Sequence, residues 1–291
     1  MGALIHAVSA WDGCSLAVRE WADGCSRLPL LCLPGLVRTS GDFAAIAVRH
    51  GAGRRVIALD YAGRGGSARA RNVARYGPEA CLRDILDVCA ALHVPAAIAI
   101  GTSFGGLLSM GLAAVRPGLI RGAVLNDIGP EVASGGTAFI REFVATDPAL
   151  GSEQACVDWL RARLPPLSLS TDEDWRAMAA LTYARGGAPG GDPGGAAGGN
   201  RRFRPLWDTR IAELLGKPTP DLWPLFGALA GVPVLLAWGE VSTVLLPETV
   251  ARMRDRRPDM TVVAVPGVGH APTLAEPPVA TALDSFLEGL G

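Results

Sequence analysis

The sequence predicts an α/β fold in which helices cover both faces of a mostly parallel sheet. Short apolar runs rich in β-branched residues alternate along the chain with longer helix-like segments, and this alternation is typical of such a sheet. The chain has 291 residues and is 49% hydrophobic, so it can bury a large core and also carry an insertion.

The first part of the chain supplies most of the predicted elements. Two apolar runs, 4–10 and 16–21, flank the turn dipeptide Asp12-Gly13 and predict a β-hairpin. Pro78 stands in the first turn of its predicted helix, a position that suits proline. Further strands are expected at 30–33, 56–60, 96–100 and 123–125, and helices at 43–50, 78–92 and 107–115.

One segment in the second part of the chain, residues 131–226, does not show this alternation of strands and helices. Residues 186–199 within it contain eight glycines and two prolines, which predicts a flexible loop. We therefore expect a core formed by residues 1–130 and 227–291, with residues 131–226 inserted into it. Helices of the insertion are predicted at 137–145, 153–163 and 173–184, and the later core elements at 232–238, 261–265 and 275–287.

A serine between glycines is the strongest functional signal. Residues 101–106 read G-T-S-F-G-G and join a predicted strand to a predicted helix. In this context Gly-x-Ser-x-Gly forms a nucleophile elbow, a tight turn that exposes the serine hydroxyl above the sheet. Ser103 is therefore the candidate nucleophile, and the amide of Phe104 is a candidate donor to an oxyanion.

His270 is the candidate general base. It ends the loop P-G-V-G-H, which directly follows the strand predicted at 261–265. The contexts of His6, His50 and His93 indicate solvated or packed side chains instead. A general base must lie within hydrogen-bond reach of the nucleophile, and a loop after a late strand can place it there.

Together these features resemble the α/β-hydrolase-fold serine hydrolases over nearly the whole chain. Further stretches carry the resemblance: L-L-C-L-P-G-L at 30–36, D-Y-A-G-R-G-G-S at 60–67 and L-N-D-I-G-P at 125–130. The last is similar to a subgroup of esterases, lactonases and carbon–carbon-bond hydrolases. The resemblance implies that the Leu36 amide is the second oxyanion donor, with Pro34 where the family usually has histidine. It also implies that the inserted segment is a helical lid.

The catalytic acid departs from the family's pattern. The stretch L-L-A-W-G-E-V-S-T-V-L-L at 235–246 occupies the place of the acid loop. Relatives with a G-E-x-S turn usually place Asp directly after the serine, where this chain has Thr243. A threonine carries no charge to stabilise imidazolium, and loss of the acid from such a triad can cost about 10⁴ in turnover.

Several alternatives are open for the acid. Asp127 follows the strand predicted at 123–125, and some relatives carry their acid after that strand. Its other interpretation is a carboxylate that caps a turn. Asn126 could orient the histidine without a charge, and Glu240 could reach it from the loop of Thr243. A weakened Ser–His dyad, natural or engineered, is the remaining alternative.

Tryptophans are candidates for a substrate pocket. Ordinary packing within the insertion explains such residues, and the sharper hypothesis is that some of them line an apolar acyl or aromatic site. Phe104 would make the wall beside the nucleophile apolar, or would pack beneath the elbow. The candidates for the pocket are Trp159, Trp175, Trp207 and Trp238.

The sequence thus predicts a hydrolase of carboxylic esters with apolar, uncharged acyl groups, acting through an acyl-enzyme on Ser103. An apolar site also favours transfer of the acyl group to alcohols or amines. Lactone and carbon–carbon-bond hydrolysis are alternatives. A catalytically weakened ligand-binding protein is the alternative of another class, because Thr243 replaces the usual acid. A serine at position 103 excludes a haloalkane dehalogenase, which needs a carboxylate nucleophile.

Composition bounds the partners and the location. The formal net charge is −1 and the arginines are scattered, which argues against a nucleic-acid partner. No apolar run approaches a membrane span, and the N-terminus lacks a signal-peptide pattern. The six cysteines form no C-x-x-C pair, so we expect no metal, no cofactor and a cytoplasmic location. The expected partner is a small-molecule ester, and the sequence predicts no oligomeric state.

Overall fold

The structure, a computed structural model, describes residues 2–22, 26–186, 202–216 and 220–290. Nearly all of the loop predicted at 186–199 lies outside these residues, as do Cys25 and Lys217. The elements given below belong to the described part of the chain.

Most of the strands form one sheet. The described residues contain β1 (Leu4–Ser9), β2 (Ser15–Trp21), β3 (Leu30–Leu33), β4 (Val56–Leu59), β5 (Ala97–Thr102), β6 (Ile120–Asn126), β7 (Tyr183–Arg185), β8 (Phe203–Pro205), β9 (Val234–Gly239) and β10 (Thr261–Val265). Eight of them pair in the order β1-β2-β4-β3-β5-β6-β9-β10, while β7 pairs only with β8. β2 is antiparallel to β1 and β4, and the other pairs of the large sheet are parallel, as predicted.

The helices follow the predicted alternation with the strands. They are α1 (Ala44–His50), α2 (Pro78–Ala91), α3 (Phe104–Val115), α4 (Ser134–Ala145), α5 (Glu153–Arg163), α6 (Asp172–Ala180), α7 (Trp223–Gly227), α8 (Pro247–Arg256) and α9 (Pro277–Glu288). Proline stands in the first turn of α2, α8 and α9, where its missing N–H costs no helical bond. None of the helices described has the length and apolar character that crossing a bilayer requires.

Both faces of the central sheet are buried. On β3, Leu31 belongs to a core cluster that includes residues of α2, α3 and α8, whereas Leu30 and Cys32 belong to a second cluster with α1 and α9. Successive residues of a strand point to opposite faces, so the two clusters lie on either side of the sheet. This explains why the central strands are apolar throughout and do not alternate with polar residues.

The segment between β6 and β9 contains α4 to α7 and the pair β7–β8. One prediction here is wrong: the helix expected over 173–184 ends at Ala180. Residues 183–185 instead form β7, in which Tyr183 pairs with Pro205. The hydroxyl of Thr182 donates to the Met178 carbonyl at 2.6 Å, just where the helix gives way to the strand. The partner strand lies beyond the glycine-rich stretch, so local periodicity gave no sign of this pairing.

The described cysteines are free thiols, packed as small side chains. Burial raises the pKa of Cys81 and of Cys89 to about 11, so both remain protonated near neutral pH. A protonated thiol is a weak nucleophile, which indicates a packing role for both residues.

The turn from β5 into α3 requires two glycines. A Cβ on Gly105 would lie 1.9 Å from the carbonyl oxygen of Leu33, and a Cβ on Gly101 would lie 2.5 Å from the carbonyl carbon of Gly105. No side chain fits in this space. The glycines of the predicted elbow therefore have a steric reason: they let α3 begin directly against β3.

We expect Gly105→Ala to lower the free energy of unfolding by about 2 kcal/mol or more, because the new methyl group would overlap a backbone atom. Gly135→Ala is the matched control, since Gly135 is also the second residue of its helix and a Cβ there meets nothing within 4 Å. That change should preserve stability or raise it by up to about 1 kcal/mol. Urea denaturation measures both variants, and an unchanged midpoint for Gly105→Ala would contradict the steric explanation.

Candidate active site

Ser103 lies at the apex of the turn between β5 and α3. Its backbone adopts φ 51° and ψ −116°, a region that residues other than glycine rarely occupy. Its N–H donates to the carbonyl of Asn126 on the neighbouring strand β6 at 2.9 Å. The side chain is half-buried. The serine hydroxyl is therefore held in a strained, fixed position and stays partly open to solvent.

His270 lies in the loop after β10 and is 17% exposed. Its Nε2 lies 2.8 Å from the Oγ of Ser103, and its Nδ1 lies 2.7 Å from the Oδ2 of Asp127. The N–H of the preceding residue, Gly269, donates to the carbonyl of Pro166 at 2.7 Å. The fold thus brings three residues that are distant in sequence into one hydrogen-bonded chain.

Asp127 lies directly after β6, and its side chain is fully buried. Its Oδ1 accepts from the N–H of Gly239 at 3.0 Å, and its Oδ2 accepts from the hydroxyl of Ser242 at 2.6 Å as well as from His270. A buried carboxylate depends on such donors, since water is not there to solvate it. Gly239 and Ser242 belong to β9 and the loop that follows it, where the usual pattern places the acid itself.

The other candidates for the acid do not approach the imidazole in this way. Thr243 and Glu240 are exposed. Asn126 directs its amide nitrogen to two other oxygens, one on β5 and one in the loop of His270. The geometry therefore favours Asp127 among the alternatives that the sequence left open.

Ser242 is not among the residues predicted from the sequence, although its side chain contacts Asp127. The Oγ of Ser242 accepts from the N–H of Val244 at 3.1 Å and of Leu245 at 3.2 Å. These bonds occupy its lone pairs, so its own hydrogen points at the carboxylate. The signal in the sequence is the serine of the G-E-x-S turn, which is present although the next position carries no charge.

The candidate oxyanion donors lie just after two neighbouring strands, β3 and β5. Phe104 is the first residue of α3, where the amide has no acceptor within the helix. Leu36 follows β3, and within the described residues its N–H makes no hydrogen bond to the protein. β3 pairs with β5, with Leu33 opposite Gly101, so the turn after β3 borders the elbow. Both amides are free to donate to a bound group.

A buried arginine holds the turn that carries Leu36. The Nε of Arg64 donates to the Leu36 carbonyl at 2.8 Å, and its Nη1 donates to the Ala62 carbonyl at 2.8 Å. The hydroxyl of Tyr61 donates to the Pro34 carbonyl at 3.2 Å. The stretch D-Y-A-G-R-G-G-S is therefore a scaffold for this turn. Burial lowers the pKa of the Arg64 guanidinium, because desolvation disfavours its charge.

Trp207 packs inside the segment between β6 and β9. The side chain is fully buried, stacks on Phe143 with 5.6 Å between ring centroids, and donates its indole N–H to the Val144 carbonyl at 2.9 Å. With 1% of its surface exposed, Trp207 offers little area to a pocket in this structure, and its part in substrate binding stays a prediction. Trp207 is a packing residue of the segment between β6 and β9.

The other three candidate tryptophans, Trp159, Trp175 and Trp238, are half-buried and also take part in packing. Trp238 donates its indole N–H to the Leu245 carbonyl at 3.0 Å, which braces the loop after β9. The guanidinium of Arg163 stands 4.3 Å from the ring centre of Trp159, and that of Arg161 stands 5.4 Å from Trp175. Their part in substrate binding stays a prediction.

The hydrogen-bonded chain is suited to proton transfer at serine. A carboxylate only accepts, so Nδ1 of His270 carries the imidazole proton and Nε2 is left to accept from Ser103. Movement of the serine proton to Nε2 creates a strong oxygen nucleophile, and the imidazolium then faces the charge of Asp127. In the described part of the chain, no group of three or more His, Cys, Asp or Glu side chains could hold a metal ion.

Known proteins are similar to this chain in sequence and in fold. A family profile described as alpha/beta hydrolase fold matches residues 29–277. The chain is 31% identical over 282 residues to a 3-hydroxybutyrate-oligomer hydrolase of Cupriavidus necator, which covers 94% of this chain and 93% of that protein. It is 35% identical to an α/β hydrolase of Novosphingobium aromaticivorans whose crystal structure superposes with a TM-score of 0.88 over 98% of each chain. E-2-(acetamidomethylene)succinate hydrolase shares the fold, with a TM-score of 0.80 and 24% identity over 99% of this chain and 100% of that one.

We expect Ser242→Ala to slow the labelling of Ser103 by diisopropyl fluorophosphate by about tenfold or more, because a hydrogen bond to a buried charge is lost. The matched control is Thr243→Ala, which changes the next, exposed residue and should label at the wild-type rate. The rates are measured by quenching the labelling reaction at set times and quantifying the labelled protein by mass spectrometry. Equal rates for Ser242→Ala and wild type would show that this hydroxyl does not support the triad.

Proposed function

Since this chain belongs to the α/β-hydrolase-fold family, we propose that it hydrolyses carboxylic esters with apolar, uncharged acyl groups and uses Ser103 as the nucleophile. The hydrogen-bonded chain Ser103–His270–Asp127, with links of 2.8 and 2.7 Å, is the observation that supports this proposal most directly. A small-molecule ester is the partner that the proposal requires.

The first half of the proposed reaction forms an acyl-enzyme. The Oγ of Ser103 attacks the ester carbonyl carbon while its proton moves to Nε2 of His270. The amides of Leu36 and Phe104 donate to the carbonyl oxygen as it becomes negative, and one such donor contributes about 3 kcal/mol. The imidazolium then gives its proton to the alcohol oxygen as the C–O bond breaks, which leaves the acyl group on Ser103.

Water completes the proposed cycle. His270 takes a proton from a water molecule whose oxygen attacks the acyl carbon, and it returns that proton to the Oγ of Ser103 as the carboxylic acid leaves. Asp127 accepts from Nδ1 of His270 in both halves and stabilises the imidazolium that forms in each. An alcohol or amine that replaced the water would receive the acyl group by the same steps.

Within ester hydrolysis, an oligoester of a short hydroxy acid is the substrate class we favour. The relative from Cupriavidus necator is named for 3-hydroxybutyrate oligomers and is 31% identical over 94% of this chain. Such an oligomer is a chain of carboxylic esters, uncharged except for its terminal carboxylate. This matches the apolar character expected beside the nucleophile, where the ring of Phe104 packs edge-on against Tyr61 with 5.6 Å between centroids.

We expect Ser103→Ala to abolish hydrolysis of p-nitrophenyl butyrate and Asp127→Asn to lower kcat by about 10⁴, because the imidazole loses its charged partner. Thr243→Asp is the matched control for the acid position and should leave kcat near the wild-type value, since residue 243 is exposed. Initial rates of nitrophenolate release measure all three variants.

Two outcomes would contradict this assignment. A gain of orders of magnitude from Thr243→Asp would place the acid site at position 243 and make the natural chain a weakened hydrolase. Ligand affinity without hydrolysis or serine labelling would favour the binding-protein alternative.

We expect the wild type to cleave linear 3-hydroxybutyrate dimers and trimers with a higher kcat/KM than β-butyrolactone, because the open ester presents the same acyl unit with a separate leaving alcohol. Release of the monomer is measured by chromatography, with Ser103→Ala as the control for uncatalysed hydrolysis. Cleavage of the lactone but of neither oligomer would overturn this choice of substrate class in favour of the lactonase alternative.

A further inference from the structure

Asn126 lies where the segments of the site meet. It is the last residue of β6, directly before Asp127, and it is 1% exposed. In the sheet it stands opposite Thr102 of β5 on one side and Ala237 of β9 on the other. Its carbonyl accepts from the N–H of Ser103 at 2.9 Å. The backbone of this one residue therefore contacts the nucleophile turn and leads into the proposed acid.

The side chain of Asn126 reaches the loop of His270. Its Nδ2 donates to the Oγ1 of Thr102 at 3.1 Å and to the carbonyl of Pro272 at 2.9 Å. A carbonyl oxygen can only accept, so the nitrogen of the amide must face Pro272. The Oδ1 of Asn126 is buried and has no partner among the residues described. The donor, and not the acceptor, is therefore what this position uses.

Two hydrogen bonds hold the loop on either side of the imidazole. Before it, the N–H of Gly269 donates to the Pro166 carbonyl at 2.7 Å, and after it the Pro272 carbonyl accepts from Asn126 at 2.9 Å. His270 lies between these two anchors. A displacement of about 1 Å in a catalytic group can cost about 10²-fold in rate, so the anchors bear directly on turnover.

We propose that Asn126 is a positioning residue, whose amide nitrogen fixes the loop of His270 against the strand that carries Ser103. This inference rests on the proposed function, because it assigns the residue a part in that reaction. Asn126 does not act on the imidazole itself, since its amide points to Pro272 and Thr102. It acts by keeping His270 within hydrogen-bond distance of both Ser103 and Asp127.

The test compares Asn126→Ala with Asn72→Ala in the full-length protein. Asn72 is exposed and caps the 3₁₀ turn 73–76 by accepting from the N–H of Ala74, so its loss removes a hydrogen bond away from the site. We expect Asn126→Ala to lower kcat for p-nitrophenyl butyrate by about 10- to 100-fold with little change in KM. We expect Asn72→Ala to keep the wild-type kcat. Asn126→Asp preserves the shape of the side chain and replaces the first variant if that one fails to fold.

A spectroscopic signature separates positioning from general support of the fold. We expect the proton shared by Nδ1 of His270 and Asp127 to give a strongly downfield NMR line in the wild type. In the Asn126 variant we expect this line to broaden or vanish, while the rest of the spectrum remains that of a folded protein. Wild-type kcat and an intact line would overturn the inference and leave the proposed function standing. Activity that survives Ser103→Ala would overturn the proposed function, and with it this inference.

Discussion

A fully buried carboxylate, that of Asp127, sets the constraint around which the site is arranged. A charge removed from water is tolerated only where the protein supplies donors in its place. Here the donors come from three directions: the backbone of Gly239, the hydroxyl of Ser242 and the imidazole of His270. Two of the three belong to β9 and the loop after it. That region supports a carboxylate carried by the neighbouring strand, while its own carboxylate, Glu240, is exposed.

The order of the strands in the sheet brings these groups together. β5, β6 and β9 are adjacent in the sheet, so their carboxyl ends place the nucleophile, the proposed acid and the supporting loop side by side. Moving a carboxylate from the end of β9 to the end of β6 shifts it by one strand spacing, about 4.8 Å. The imidazole of His270 meets its carboxylate at the end of β6, so Thr243 can be an exposed threonine while the histidine keeps a charged partner.

Local patterns predicted most of the fold, because parallel strands and their covering helices are encoded by short-range periodicity. α5 and β10 have the predicted bounds. What the sequence did not reveal were contacts between distant residues. Tyr183 pairs across the glycine-rich stretch, and the G-E-x-S turn marks Ser242 without indicating that its hydroxyl meets Asp127, 115 positions away. Ser103 and His270 were recognisable from their turns, whereas choosing among the acid candidates required the register of β6 and β9.

The ladder between β5 and β6 has a consequence for how activity is lost. Ser103 and Asp127 directly follow Thr102 and Asn126, which stand opposite each other in that ladder, so the spacing of the two groups is fixed by the centre of the sheet. Of the three groups in the hydrogen-bonded chain, the imidazole is the one that does not directly follow a strand of this ladder; it lies in the loop between β10 and α9. Core strands open with the free energy of global unfolding, while loops can open locally at lower cost. Loosening of the segment 266–276 would therefore stop turnover while the strands that lead to Ser103 and Asp127 stay paired.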